Sequence, residues 1–395
     1  MRYDFDMVIE RRGTNCLKYD FARERGKQEN VLPLWVADMD FQTASPILEK
    51  LEHTVKHGIF GYSEGKEDYF RAVANWYRNH FGWEVNPSWL VKTPGVVFAI
   101  AAAIRAFTRK GDHVLLQQPV YYPFSEVIKN DGRRLVNCQL RYENNHYSID
   151  FEKMEKMIRE EGVKALIFCN PHNPVGRVWT REELERVAEI CLKYNVTWMV
   201  DEMHCDFIFP GHTFTSCMNL DEKYRQILAL YSSPGKTFNV AGLQPANIII
   251  PNEELRKKYQ WANTQAAYSQ GSLMGQLAVK VCYTKGAEWV DELVQYIYEN
   301  VKYMSKFVKE NFPKAKMVEP EGTYLVWVDF SGYGLSNEEL EHLMLEEAKL
   351  WLDSGIIFGP ETAQFERFNV ACPRVTLEQA LTQLKDALDK HLAAK

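Results

Sequence analysis

The stretch Tyr231-Ser-Ser-Pro-Gly-Lys236-Thr-Phe-Asn-Val240 places a lysine in a turn just after an apolar, strand-like run, Ile227 to Tyr231. A lysine held at the end of a buried strand loses hydration that its ammonium needs. Its pKa falls, and the neutral amine becomes a nucleophile able to form an imine with an aldehyde. A lone loop lysine is ordinarily a solvated surface charge. The stretch gains meaning only if other segments supply what an imine-bound group requires. Four more informative stretches stand where short apolar runs end. Thr93-Pro-Gly95-Val96-Val97 opens an alanine-rich helical run, and the free amides and dipole of such an end attract anions. Gln118-Pro-Val-Tyr-Tyr-Pro123 brackets Tyr121 and Tyr122 between prolines, and a stiffly held tyrosine can stack on a planar ring. Asn170-Pro-His-Asn-Pro-Val-Gly-Arg177 constrains its backbone through two Asn-Pro steps and offers the Asn173 amide to an oxygen. Met199-Val-Asp201-Glu-Met-His204 ends an apolar strand in a carboxylate, which is costly to bury unless paired.

A protonated ring nitrogen would suit Asp201. His204 follows three residues on, and Glu202 reads as a structural hydrogen bonder. Ser232 and Ser233 can bind the same anion as the Gly95 turn. Arg367, placed before the strand Phe368-Asn-Val370, can hold a carboxylate bidentately. Each stretch alone also has an ordinary reading: a strand-to-helix turn, packed tyrosines, a structural histidine, a surface arginine. Together they supply an anion site, a stacking ring, an oxygen partner, a carboxylate for a ring nitrogen and an imine lysine. That set describes a pyridoxal phosphate site. No zinc-ligand spacing, P-loop, G-x-S-x-G or dinucleotide glycine fingerprint competes, so no metal is expected.

The elements that must position these residues follow from periodicity. Ser45-Pro46 opens a helix, Ser as cap and Pro in the first turn. Asp68 to Phe81 and Val96 to Phe107 read as helices. Strands are expected at 89–95, 112–117, 134–138, 165–169, 196–200, 227–231 and 247–250, with helices between several of them. Thr180-Arg-Glu-Glu183 is a capping box for a helix to Tyr194. Short apolar strands alternating with helices mean an α/β fold with a mostly parallel sheet flanked by helices. After about residue 253 come helices 255–261, 272–283 and a long one, 287–312, suited to bridging two domains. Residues 322–329 read as a half-exposed strand, 338–352 as a helix, 356–358 as a short strand and 377–392 as a closing helix. The expected division is an N-terminal segment, 1–45, packing on the smaller unit, a large domain, 46–288, and a smaller C-terminal α/β domain, 289–395.

Bulk properties narrow the class. The 395 residues are 46% hydrophobic and 13% aromatic, which suits a packed enzyme body with more than one domain. A net charge of −6 without a basic block argues against nucleic acid as a partner. The longest apolar run, Val96 to Ile104, is far short of the roughly 20 residues of a membrane helix. Eight scattered cysteines without a C-x-x-C pair imply free buried thiols and a cytoplasmic location.

The whole chain resembles a fold-type I pyridoxal phosphate enzyme of the class I/II aminotransferase family, nearest its cystathionine β-lyase and cystalysin-like C–S lyase branch. The segments that carry the resemblance are Pro33-Leu-Trp-Val-Ala-Asp-Met-Asp-Phe41, Pro119-Val-Tyr-Tyr-Pro-Phe124, Pro171-His-Asn-Pro-Val-Gly-Arg177, Lys236-Thr-Phe-Asn and Glu321-Gly-Thr-Tyr324. The resemblance implies that Lys236 binds the cofactor covalently and acts as base at the substrate Cα. It implies that Asp201 pairs with the pyridine nitrogen, Tyr121 stacks on the ring and Asn173 binds its phenolic oxygen. Val96 and Val97 amides, with Ser233, would hold the phosphate. Tyr62 would reach the phosphate of a neighbouring subunit, which implies a homodimer with shared sites. Arg367 would hold the substrate carboxylate, with Tyr121 and Tyr122 alongside. The implied reaction is α,β-elimination of a sulfur amino acid to pyruvate, ammonia and a thiol; transamination is the alternative. The chain departs from the aminotransferase pattern at Gln244, where a phosphate-binding arginine is usual, at Gly235, where a serine is expected, and at His204, which replaces a tyrosine. A pyridoxal phosphate-sensing regulator is disfavoured, since the enzyme body begins within the first ~40 residues and leaves no room for a helix-turn-helix.

Overall fold

Short apolar runs bounded by turns become strands buried on both faces, and this is how the central sheet forms. The computed structural model describes residues 2–393. In chain order its strands are β1 (Leu32–Pro33), β2 (Leu90–Pro94), β3 (His113–Leu116), β4 (Arg134–Asn137), β5 (Arg141–Glu143), β6 (His146–Ser148), β7 (Ala165–Cys169), β8 (Thr197–Asp201), β9 (Leu228–Ser232), β10 (Pro245–Ile249), β11 (Lys316–Met317), β12 (Leu325–Asp329), β13 (Leu350–Trp351), β14 (Asp353–Ser354) and β15 (Phe365–Asn369). The large sheet has the order β2-β10-β9-β8-β7-β3-β4. Its pairs from β9 through β4 are parallel, while β10 runs antiparallel to both β9 and β2. The sheet is therefore mostly parallel, as expected, with one reversal. The reversal has a local cause. The link from β9 to β10 is spent on the one-turn helix Pro234–Thr237, which carries Lys236, and on the 3-10 turn Ala241–Leu243. No crossover helix is left to bring the next strand round in parallel.

Helices cover both faces. The helix Val96–Phe107 lays Ala99, Ile100, Ala103 and Ile104 against Val114, Met199, Ala229 and Ile248 of the sheet. Each large aliphatic side chain buried this way contributes roughly 1.5–3 kcal/mol. On the other face, helix Arg181–Lys193 starts from the expected capping box, with Thr180 and Glu183 bonded reciprocally. The long helix Ala287–Asn311 buries residues along most of its length, from Trp289 to Val308. The N-terminal arm lies on its first turns, where Phe5 meets Phe41, Trp289 and Tyr296. A second sheet of order β11-β12-β15-β14 follows, and β1 pairs in parallel with β13.

Four local expectations are corrected. Ala44, not Ser45, occupies the cap of helix Ser45–His57, and no side chain caps it. The strand expected to be half-exposed is β12, and all of it is buried. It lies between β11 and β15, with Trp327 stacked on Phe365 and donating to the Tyr147 hydroxyl. The helix expected over 338–352 ends early: Asn337–His342 is α-helical, Leu343–Glu347 widens to a π turn, and Lys349 turns left-handed at φ +57°. That bend frees Leu350 and Trp351 to pair with β1. Residues 355–357 form a 3-10 turn instead of a strand, leaving Ile356 and Ile357 exposed.

Candidate active site

The carboxyl ends of β7, β8 and β9 open into a cavity of about 390 Å³, where ligands of open α/β sheets bind. Its wall brings together Lys236, Asp201, Asn173, Tyr121, His204, Ser233, Val96 and Val97 from five separate stretches of chain. Tyr62, Tyr122 and Arg367 do not form this wall.

Lys236 sits on the one-turn helix after β9, capped by Ser233, whose hydroxyl accepts from the Gly235 amide at 2.9 Å. Its Nζ donates to the Ala37 carbonyl at 2.6 Å, and the Tyr324 hydroxyl donates to the same oxygen at 3.0 Å. Burial pulls the ammonium pKa down to about 8; Asp38 opposes this, Arg367 adds to it, and Asp201 opposes it weakly. The amine is thus neutralisable near physiological pH.

Asp201 closes β8. One carboxylate oxygen accepts from the Met203 amide at 3.0 Å, and the other has no donor among the described residues. Burial pushes this carboxyl up to about 7, against the pull of the Met203 amide and Lys236. An opposite charge brought to the free oxygen would restore its ionised form. Glu202 points the other way and accepts from the Ser216 hydroxyl and the Cys217 amide, both at 2.8 Å. His204 is buried with Nδ1 unpartnered and its ring edge-on to Tyr324 at 5.3 Å. Burial, then Lys236 and Arg367, push its pKa well below the usual imidazole range, so the ring is neutral.

Arg367 is neither a surface residue nor placed before a strand. It lies within β15, buried, with its face over Phe358. It donates to Asn173 Oδ1 at 2.9 Å and to the Trp35 carbonyl at 2.8 Å, and pairs with Asp353. Its Nε has no partner among the described residues. The Asn173 carbonyl is thereby occupied, which leaves the amide hydrogens of that side chain directed to other uses. Tyr121 is held edge-on by Phe124 at 5.4 Å, while Tyr122 packs on Phe358 at 6.1 Å. Tyr62 is 98% exposed.

At the far side, Gly95 precedes helix Val96–Phe107 with φ +77° and ψ 158°, a conformation open to glycine. With no cap side chain, the amides of Val96 and Val97 donate to no acceptor among the described residues. The Ser233 hydroxyl, by contrast, donates to the Pro245 carbonyl. It braces the turn and its proton is not directed at the anion site. A Cβ at Gly235 would stand 3.0 Å from Ser233 Oγ and 3.3 Å from Ala241 Cα, so crowding accounts for glycine there. Gln244 lines the cavity in the left-handed region, and its carbonyl accepts from the Gly95 amide at 3.1 Å. Sequence reasoning passed over the Ala37 carbonyl. The only hint was that two carboxylates, Asp38 and Asp40, interrupt an apolar run beside it.

The groups left without partners form a complementary set. Two helix-end amides suit a phosphate, a free carboxylate oxygen suits a protonated ring nitrogen, an amide suits a phenolic oxygen, and a desolvated lysine suits an aldehyde. The residues fit pyridoxal 5′-phosphate. Fold and site together are those of a fold-type I pyridoxal phosphate enzyme. Residues 29–384 match the family model for aminotransferase class I and II, and the chain belongs to that family. Among curated relatives, cystathionine beta-lyase PatB of Bacillus subtilis is 40% identical over 98% of this chain and 100% of its own. Protein MalY of Escherichia coli is 31% identical over 98% and 99%. Among solved structures, cystalysin from Treponema denticola with its pyridoxal 5′-phosphate cofactor superposes with a TM-score of 0.95 at 35% identity, covering 99% of this chain and 100% of that one.

Proposed function

We propose that the chain is a pyridoxal 5′-phosphate-dependent carbon–sulfur lyase that converts a sulfur amino acid to pyruvate, ammonia and a thiol. The observation that carries this is the neutralisable Lys236 amine facing the free Asp201 oxygen across a cavity, in a chain 40% identical to a cystathionine β-lyase. When bound, the cofactor supplies an electron sink for negative charge at the substrate Cα. The rest is work for the chain's own residues. The Val96 and Val97 amides hold the phosphate, and Asp201 keeps the ring nitrogen protonated. Tyr121 stacks on the ring, while Asn173 and neutral His204 bind its oxygen. Lys236 Nζ takes the Cα proton as general base. The electron pair left at Cα forms a Cα–Cβ double bond as the Cβ–S bond breaks; sulfur leaves with that bond's electrons and takes a proton, and water hydrolyses the released enamine to pyruvate and ammonia. Arg367, behind the cavity wall, is assigned the substrate carboxylate, with Tyr122 beside it on the Phe358 ring.

The proposal extends to a homodimer whose partner covers the loop carrying Tyr62, and to a cytoplasmic location, in keeping with eight cysteines that are all free. Purified protein reconstituted with the cofactor is expected to release pyruvate, ammonia and thiol together from cystathionine or cysteine. Absence of pyruvate, with exchange of an amino group between an amino acid and a keto acid instead, would replace the lyase reading with the transaminase one.

A further inference from the structure

The segment 35–41 has no regular structure, yet side chains take its carbonyls one after another. Trp35 O accepts from Arg367, Val36 O and Asp38 O from Asn369, and Ala37 O from Lys236 and Tyr324. Asn239, three residues after Lys236, bonds Met39 on both its amide and its carbonyl and also takes Phe41 O. The strap's own Asp38 and Asp40 form a quartet of charges with Arg11 and Lys18 of the N-terminal arm. Arg11 donates to Asp38 and Asp40, each at 2.7 Å. Lys18, fully buried, donates to Asp40 at 2.8 Å and stands 3.8 Å from Asp38. Tyr19 adds a bond to Asp40 at 3.1 Å. Burying a lysine with two carboxylates costs desolvation, and apolar residues would stabilise the fold as well or better. The quartet sits against the one acceptor that holds Lys236 Nζ.

We propose that Arg11, Lys18, Asp38 and Asp40 are positioning residues for the reaction. They fix the Ala37 carbonyl as the docking point of the Lys236 amine, and their charge balance sets how readily that amine gives up its proton. The inference rests on Lys236 being the cofactor lysine. The charged groups facing Lys236 are few: Asp38 from the strap, Arg367 from β15 and Asp201 from β8, with Tyr121, His204 and Tyr324 as neutral neighbours. Of these, Asp38 alone belongs to the quartet, and a charge removed from its partners leaves its charge differently compensated at Lys236.

The test uses the holoenzyme, where the pH midpoint of the visible absorption reads the proton on the cofactor-bound Lys236 nitrogen, and the acid limb of kcat reads the amine as base. Lys18→Met leaves excess negative charge and should raise both midpoints by roughly several tenths of a pH unit. Asp40→Asn leaves excess positive charge and should lower them. The neutral pair Lys18→Met with Asp40→Asn should return them to the wild-type values. A merely structural role predicts no such opposition of sign. Midpoints that stay fixed, or move the same way in both single variants, overturn the proposal. If a single variant does not fold, Arg11→Gln, at a partly exposed position, must raise the midpoints, and no rise overturns it. A wild-type holoenzyme whose visible band is unaffected by Lys236→Ala would instead overturn the underlying assignment of the cofactor lysine.

Discussion

Burial acts in opposite directions on Lys236 and on the carboxyls at the end of β8, and both effects can be measured. Lys236→Ala removes the proposed base, so turnover should fall by about 10²–10⁴-fold or more, and the protein should lose its covalent hold on the cofactor. Retained activity with retained visible absorbance would remove Lys236 from its role. Glu202 gives a stability test independent of the cofactor. Burial raises its carboxyl to about 8 from an ordinary 4.5, against the Cys217 and Ser216 bonds that favour ionisation. Between those values the folded chain keeps a proton that the unfolded chain has released, so this contribution is lost as pH rises from about 4.5 to 8. Glu202→Gln keeps the Cys217 bond on its Oε1 and reverses the Ser216 bond, its Nε2 donating to that hydroxyl, without the ionisation. It should be near-neutral at pH 5 and stabilising by on the order of 1–3 kcal/mol at pH 8, read from urea midpoints at the two values. A difference between wild type and variant that does not change with pH would sink the claim. At this scale Lys236 and Asp201 were legible because an ionisable side chain after an apolar strand stands out. The Ala37 carbonyl was not, since a backbone acceptor leaves no trace in residue type. Arg367 could not be told from a surface arginine by sequence, because nothing in its own segment reveals Asp353, Asn173 and Trp35 as its partners.

The elements of the large sheet were legible to within a residue or two: the central strands β7, β8 and β9 are almost wholly buried and mostly apolar, and the flanking β2 and β4 were marked by the turns that bound them. The small sheet was harder. β12 looked half-exposed because a terminal Asp329 and a Thr323 break its apolar run, and only the pairing with β11 and β15 buries it. The helix expected over 338–352 lost its last turns to a β1–β13 pairing more than 300 residues apart in sequence. The element that bears most on function is the start of helix Val96–Phe107. A Cβ at Gly95 meets nothing within 4 Å, so Gly95→Ala leaves packing untouched and strains only the backbone, by about 1–3 kcal/mol. The chain should relieve that strain by rotating the first turn, which turns the Val96 and Val97 amides from the anion site. Weaker retention of pyridoxal 5′-phosphate is expected, about tenfold in Kd for a loss near 1.4 kcal/mol, with the fold intact by circular dichroism. Unchanged affinity in equilibrium dialysis would mean that these amides do not hold the phosphate.

At the scale of the whole molecule, the loop 58–66 is the place where the surface departs from what a lone chain should present. Ile59 is 70% exposed, Phe60 60% and Tyr62 98%. Apolar side chains this close together in sequence, all facing water, mark a surface that another molecule covers. Tyr62 does not reach the cavity of its own chain, whose wall it does not join, and the proposed dimer gives it a site to serve. The two ideas separate by mutation. Phe60→Glu puts a charge into the contact without touching Tyr62, and it should shift the protein from dimer to monomer in sedimentation at micromolar concentration. Tyr62→Phe removes only a hydroxyl, so the dimer should persist while cofactor retention weakens severalfold, by about the ~1 kcal/mol that a hydrogen bond contributes, or more toward a charged phosphate. If Tyr62→Phe released the cofactor no faster than wild type while Phe60→Glu still gave monomers, the subunits would associate through this loop without sharing their sites.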